Sequence, residues 1–328
     1  RNARAVRHHC EAARPAARRP ADRSSRRPAH ALRRTARPRF DIPSKVDGSA
    51  IYGIDFTVPG MLYAAVDMAP VFGGKLLSVD SGPAEAMPGV RRVVQLDEAV
   101  AVVADSYWRA RQALGALEPQ FDDAGQGNVS SASIFAAFDE ALGSAPEMPE
   151  AAAIVVTADY RVPFLAHATM EPMACTARVD GDRAEVWAGV QDPLNARATA
   201  ADALDLDVEH VQFTNLQLGG GFGRRLPFTL DYIDLGARIA KAMSPTPVKS
   251  VWSRENDIQH DYYRPAAMAR FAGALDRSGV PLAVASRYAG GGDGESVYMP
   301  YAIADKLGFA PEEVGWVRTS FVPAPVFS

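Results

Sequence analysis

The chain has 328 residues, 48% of them hydrophobic and 23% charged, with a formal net charge of −4. That length suits about two domains, the composition is that of a globular protein, and no apolar run approaches the roughly 20 residues a bilayer span needs. The two cysteines, Cys10 and Cys175, do not suggest a disulfide framework or a thiolate metal site, and leave the redox compartment open.

Charge is unevenly spread. Thirteen of the 35 basic residues are arginines within residues 1–39, where the acids are Glu11 and Asp22. The remainder sets 22 basic residues against 37 acidic ones. An acidic body argues against nucleic acid as its partner. Residues 1–39 contain no lysine, three of the six histidines and no helix or strand period. Such composition reads as a disordered tail; a basic arm for nucleic acid or membrane and a misread coding frame are the other readings. There is no apolar core of a secretory signal, and neither Arg26-Arg27 nor Arg33-Arg34 precedes an apolar run.

Order is expected from Phe40. "MLYAAVDM" reads as a buried strand after a Pro59-Gly60 turn. "GKLLSVDSGPAEAMPGVRRVVQL" reads as strand, short helix, strand. "DSYWRARQALGALEPQFD" is a helix with Ala110, Ala113, Leu114 and Leu117 on its apolar side. Residues 40–122 thus form a small α+β domain. Residues 123–150 are rich in Gly, Ser, Ala and Pro and read as a linker, with one helix at "SASIFAAFDEAL" capped by Ser131 or Ser133.

A second α+β unit is expected over 151–328. "AAIVVTADYRVP" reads as a strand and "CTARVDGDRAEVWAGVQ" as a hairpin about Gly181. "DPLNARATAADALDL" is a helix with Asp192 as N-cap and Pro193 at its first position. A strand, "VEHVQFTNLQL", leads into the glycine run. A helix follows with Leu230, Ile233, Ala237 and Ala240 at helical spacing, then a strand at "PVKSVWSR". The last feature is a hairpin about residues 276–279.

The stretch "LGGGFGRR" holds Gly219, Gly220, Gly221 and Gly223 around Phe222, then Arg224 and Arg225. It reads as a strand–loop–helix junction. Glycines permit positive φ and close approach. Successive amides can form an anion-binding nest, a following helix adds its positive end, and the arginines would reinforce a bound negative charge. A tight turn that merely lets chains pack is the alternative. The glycine spacing fits neither a dinucleotide fingerprint nor a P-loop. Phe222 between glycines reads as a ring projecting into a pocket, or as a plug in the core.

With "HATMEPMACTA" (167–177), "WAGVQDP" (187–193) and "VKSVWSRENDIQHDYYRP" (248–265), "GGGFGRR" resembles the molybdenum-binding large subunit of the xanthine oxidase family, in the isoquinoline 1-oxidoreductase beta subunit and aldehyde oxidase branch. "DIPSKVDGSAIYGIDFTVPGMLYAAV" (41–66) is similar to that branch too, and the resemblance covers about residues 38–315. It implies an α+β fold in which a small "hammerhead" domain precedes the first part of a molybdopterin-binding domain. It implies a molybdenum–molybdopterin cofactor, usually in the cytosine dinucleotide form, with the metal held through the pterin. Gln191 matches the glutamine that contacts the molybdenum's oxo ligand. Phe222 and Gly223 match loop residues beside the metal, with Gly220, Gly221 and Arg224 around the cofactor. His167, Met170 and Glu171 match a motif near the active site, where Glu171 is either functional or a satisfied buried acid.

The resemblance further implies a small [2Fe-2S] partner subunit that takes the electrons. Purine-oxidising relatives carry glycine, lysine and glutamate where this chain has Arg224, Arg225 and Leu226, so an N-heteroaromatic or aldehyde substrate is expected. The family's general-base glutamate lies far downstream in longer chains, and neither Glu295 nor Glu312 matches it. The sequence therefore reads as an N-terminal fragment, inactive alone, with a non-catalytic module as the alternative. Relatives are often exported by the twin-arginine route, which leaves periplasm and cytoplasm both open.

Overall fold

In the computed structural model, residues 38–145, 147–290 and 317–323 are described, and the chain divides between Ala50 and Ile51. Among the described residues of the first unit, α1 (Ile42–Val46) is a short helix, with Lys45 reaching back to Asp41 at 2.7 Å. The arginine-rich segment to residue 37, and Glu295 and Glu312, lie outside the described residues.

The second unit opens with β1 (Leu62–Met68), β2 (Leu76–Ser78), α2 (Gly82–Glu85) and β3 (Val90–Gln95), in the order read from the sequence. β4 (Ala99–Ala104) is small and apolar throughout and is buried at every position, as a strand covered on both faces must be. α3 (Tyr107–Leu114) starts where the Ser106 side chain accepts the Arg109 amide, and it buries Ala110 and Ala113. β5 (Gln120–Phe121) pairs with β2.

α4 (Ser131–Leu142) is capped by Ser130, one residue before the expected cap. Ser130 is extended, and its hydroxyl accepts the Ser133 amide at 3.2 Å. The Ser133 hydroxyl accepts the Ser130 amide at 3.0 Å, which closes a reciprocal box. β6 (Ile154–Val162) follows, then the hairpin β7 (Ala174–Asp180) and β8 (Arg183–Ala188) with Gly181 at φ +59°. α5 (Pro193–Leu204) begins as expected: Asp192 accepts the amides of Leu194 and Asn195. β9 (Val211–Asn215), α6 (Asp231–Ala242), β10 (Val248–Val251) and α7 (Arg254–Gln259) come next. β11 (Ala267–Leu275) and β12 (Pro281–Gly290) form the expected hairpin, its turn tied by Asp276 to the amides of Ser278 and Val280. β13 (Val317–Pro323) pairs with β12.

Seven strands form one mixed sheet in the order β3-β4-β1-β10-β7-β8-β9, and β13-β12-β11-β6 form another. α5 and α6 cover one face of the large sheet through Ala196, Ala200, Leu204, Ile233 and Ile239. On the other face, β3 and β4 bury Val93, Val100 and Val102 with Ala84 and Ala113. α6 lies so close to β7 that a Cβ at Gly236 would stand 2.8 Å from the Cys175 Cβ. The Cys175 thiol is buried there, and burial pushes its pKa up to about 12.

The expected boundary at 123–150 needs correction. β1 pairs in parallel with β10, from Leu62↔Val248 to Ala65↔Val251, so strands from 40–122 and from 151–328 share a sheet. The physical reason is backbone pairing. β4 takes only one edge of β1, and the other edge, buried under helices, needs an equally regular partner. The expected linker is also structural: Ile134, Phe138 and Leu142 of α4 pack on Ala266, Met268 and Ala289 in a second core.

Candidate functional site

The glycine stretch is the long connection from β9 to α6. It does not open directly onto a helix: a 3-10 turn at Pro227–Thr229 intervenes, and Asp231, one of two acids in the first turn of α6, pairs with Arg224. The expected contribution of a helix end at the glycines is therefore absent from the described geometry.

Each glycine has a separate reason. Gly220 and Gly223 sit at φ +110° and +107°. A Cβ at Gly219 would stand 2.5 Å from the Glu171 Cβ, and one at Gly221 would stand 2.6 Å from Gln191 Oε1. Positions 219 and 221 are thus bare because protein side chains press on them. Phe222 takes φ +56°, strained for a residue with a side chain, and its ring is 78% exposed. Its exposure rules out the core plug among the described residues. A polar cleft of about 580 Å³ lies elsewhere, by the β7–β8–β9 edge, lined by Arg178, Arg183, Arg197 and His210 among others.

Glu171 clasps the loop. Its Oε1 accepts the Ile54 amide at 2.9 Å, and its Oε2 accepts the Gly219 amide at 2.7 Å. Arg225 Nη2 lies 3.0 Å from the same Oε2 and also donates to the Glu171 carbonyl, while Arg225 Nη1 donates to the Gly189 carbonyl. Glu171 is 6% exposed and Arg225 is fully buried. Of the two readings of Glu171, the satisfied buried acid describes this geometry. Lys249, buried in β10, anchors the far side of the clasp by donating to the Ile54 carbonyl at 2.6 Å, and burial lowers its pKa.

Arg224 departs from expectation. Its side chain is 1% exposed, donates to the Thr229 carbonyl, lies 2.9 Å from Asp231 Oδ1, and stacks 5.2 Å from the Tyr262 ring centre. Its Nε is 3.1 Å from Asp261 Oδ1, an ion-pair distance without hydrogen-bond alignment. Neither Arg224 nor Arg225 offers a free charge to a ligand, because a buried guanidinium needs its partners within the protein.

What the loop does offer is a row of amides. Gly220, Gly221 and Phe222 donate to no acceptor among the described residues, and Gly221 is buried, so an unmatched amide there is costly. Gln191 stands over this row. Its Oε1 accepts from the amides of Gly223 at 3.1 Å and Arg225 at 3.3 Å, which leaves its exposed Nε2 group without a partner among the described residues. His167 abuts the same loop: its Nε2 is 3.5 Å from the place a Cβ of residue 223 would take. Met170 is 89% exposed, and its carbonyl accepts from Arg254. The structure thus gathers Gln191, His167, Glu171 and the 219–223 loop. It adds Asp261, Lys249 and Ile54, which the sequence did not mark. Asp261 lies within "QHDYYRP", a motif that carried the resemblance without a role.

Comparison with known proteins places the chain. Residues 128–313 match the molybdopterin cofactor-binding domain family, a match that includes α4 and most of the 123–150 connection. The chain belongs to this family, among the molybdenum-binding subunits of xanthine oxidase type. It is 33% identical over 264 residues to the isoquinoline 1-oxidoreductase subunit beta of Brevundimonas diminuta, a match covering 73% of this chain and 33% of that protein. It is 32% identical over 266 residues to a membrane-bound aldehyde dehydrogenase of Gluconacetobacter polyoxogenes, named for pyrroloquinoline quinone, covering 73% of this chain and 33% of the relative. Quinoline 2-oxidoreductase from Pseudomonas putida 86 shares the fold at a TM-score of 0.55 and 18% identity, covering 76% of this chain and 38% of that one. The chain thus spans about a third of the length of the curated relatives it matches.

Proposed function

We propose that this chain is the cofactor-holding part of a molybdenum hydroxylase large subunit, with the 219–223 loop as its molybdopterin cradle. One observation carries the reading: among the described residues, three successive amides, Gly220 to Phe222, lack acceptors beside a Gln191 Nε2 group that has no partner there either. Amide donors suit a polyanion, and a carboxamide donates without titrating. The residues present therefore fit the group. When bound, it supplies the oxygen-transfer and electron chemistry. The chain's own residues position it. The amide row would hold its anionic oxygens, Gln191 would donate a hydrogen bond to it, and Phe222 would lend apolar surface. Glu171 and Arg225 keep the loop from relaxing.

The cytosine dinucleotide form, electron delivery to iron–sulfur clusters on a small [2Fe-2S] subunit, and N-heteroaromatic or aldehyde substrates belong to this proposal. Relatives named for isoquinoline and for aldehydes support the substrate class. The general base would be a glutamate supplied from outside these residues, so the 328-residue chain would bind the cofactor without turning substrate over.

The test is expression in a host that makes the cofactor, followed by metal and pterin analysis of the purified protein. Molybdenum and pterin are expected, with less of both retained in Phe222→Ala at unchanged melting temperature and in Gln191→Ala at a melting temperature lowered by no more than the loss of its bonds to Gly223 and Arg225 explains. A folded protein that carries neither, or that carries a quinone instead, refutes the assignment.

A further inference from the structure

His167 is held in a way that nothing above requires. Its main-chain amide donates to Asp261 Oδ2, and its Nδ1 lies 2.9 Å from Asp261 Oδ1. Asp261 is 1% exposed, accepts the Tyr262 amide at 2.7 Å, and has Arg224 Nε at 3.1 Å. Burial opposes its ionisation, yet the bonds from His167 and the charge of Arg224 outweigh that and hold its pKa below the ordinary value. An ionised carboxylate only accepts. Nδ1 therefore carries a proton, and Nε2 is the nitrogen left to face the loop. It has no partner among the described residues and stands 3.5 Å from the Cβ place of residue 223, at one end of the amide row.

We propose that His167 is the side chain through which this protein hydrogen-bonds the oxyanionic ligand of the glycine loop at its Gly223 end, with Asp261 and Arg224 as positioning residues. The inference rests on the reading of the loop as an oxyanion cradle. An oxyanion that meets three amide donors brings lone pairs, so Nε2 must donate to it. It can do so only as Nε2–H, so the ring that binds the ligand carries a proton on both nitrogens. The charged groups facing the ring accommodate this. Asp261 lies against Nδ1, Arg224 lies behind Asp261, and Asp231 pairs with Arg224 at 2.9 Å. With the ring protonated, two cations and two anions balance. The ring is 19% exposed, which leaves it a route for the proton.

The test uses the whole chain uniformly labelled with ¹⁵N, titrated in separate arms with molybdate and with pyrophosphate. The free protein is expected to show the Nδ1–H tautomer at His167. Addition of one oxyanion or the other should shift the amides of Gly220–Phe222 and move the Nε2 resonance to its protonated position. The responding arm shows whether a metal-like or a phosphate-like oxyanion sits there. His167→Ala should weaken that oxyanion about tenfold or more, the range for a hydrogen bond to a charged group. His167→Gln, which donates without titrating, should keep most of the affinity and lose the decline that the wild type shows as pH rises. Amides that shift while Nε2 stays unprotonated overturn the role of His167 and leave the cradle standing. An Nε2–H tautomer in the free protein overturns it too. If neither amides nor ring respond to either oxyanion, the cradle reading fails and this inference fails with it.

Discussion

Glu171→Gln is the substitution whose cost the structure defines best. The carboxylate accepts two amides, Ile54 at 2.9 Å and Gly219 at 2.7 Å, and balances Arg225, which has no exposure of its own. Glutamine keeps the volume but offers one oxygen. Either Ile54 or Gly219 then faces an NH2 group, which costs about 1–3 kcal/mol. Arg225 keeps its main-chain acceptors but loses its counter-ion, and removing one partner of a buried pair costs about 3–5 kcal/mol. The two losses share atoms and do not add, so a total near 3–5 kcal/mol is expected, against a typical stability of about 5–15 kcal/mol. Urea unfolding should show a lower midpoint at unchanged slope. Arg225→Met alone should cost a similar amount, and the double variant should cost less than the sum by about 2 kcal/mol or more. A Glu171→Gln protein within about 1 kcal/mol of wild type would refute the clasp.

Gly219→Ala should destabilise by about 2 kcal/mol or more, because the new methyl meets the Glu171 Cβ next to the main chain. Gly221→Ala should cost only about 1 kcal/mol, because the exposed Gln191 side chain can swing aside, giving up its bonds to Gly223 and Arg225; the contrast is read from paired urea curves. Gly236→Ala should cost about 1–3 kcal/mol by forcing α6 off Cys175, measured as a lower melting temperature. Asp261→Asn tests the sign of a depressed carboxyl. That group adds stability above the ordinary carboxylate pKa near 4 and loses it as pH falls through its lower folded value. The gap between wild type and Asp261→Asn should be full near neutrality and close in acid; a gap that widens on acidification would show the opposite sign.

Much of the local structure was legible because it depends on neighbouring residues. The Asp192 cap, the Pro193 start, the Gly181 hairpin and the apolar stripes of α3 and α6 are set within a few positions. The cap of α4 was misread by one residue because Ser130, Ser131 and Ser133 differ only in backbone conformation. The domain boundary was misread because the pairing of Leu62 with Val248 leaves no local trace. At the site, glycine content was visible but its cause was not: that Glu171 and Gln191 press on positions 219 and 221 is a matter of tertiary approach. The burial of Arg224 and Arg225 was hidden for the same reason, because Asp231, Asp261 and Glu171 come to them from other parts of the chain.

The β1–β10 pairing also sets a timetable. More than half the chain separates the two strands, and ribosomes extend chains at about 5–20 residues per second. The open edge of β1 thus waits roughly 10–40 s for its partner to be made. During that interval the buried apolar strands around it, "AAV" of β1 and "AVAVVA" of β4, present a template to any other nascent chain. Contacts this distant in sequence also form slowly once both strands exist. The protein's yield in a cell should therefore depend on what shields residues 62–104 early in synthesis, before either sheet is complete.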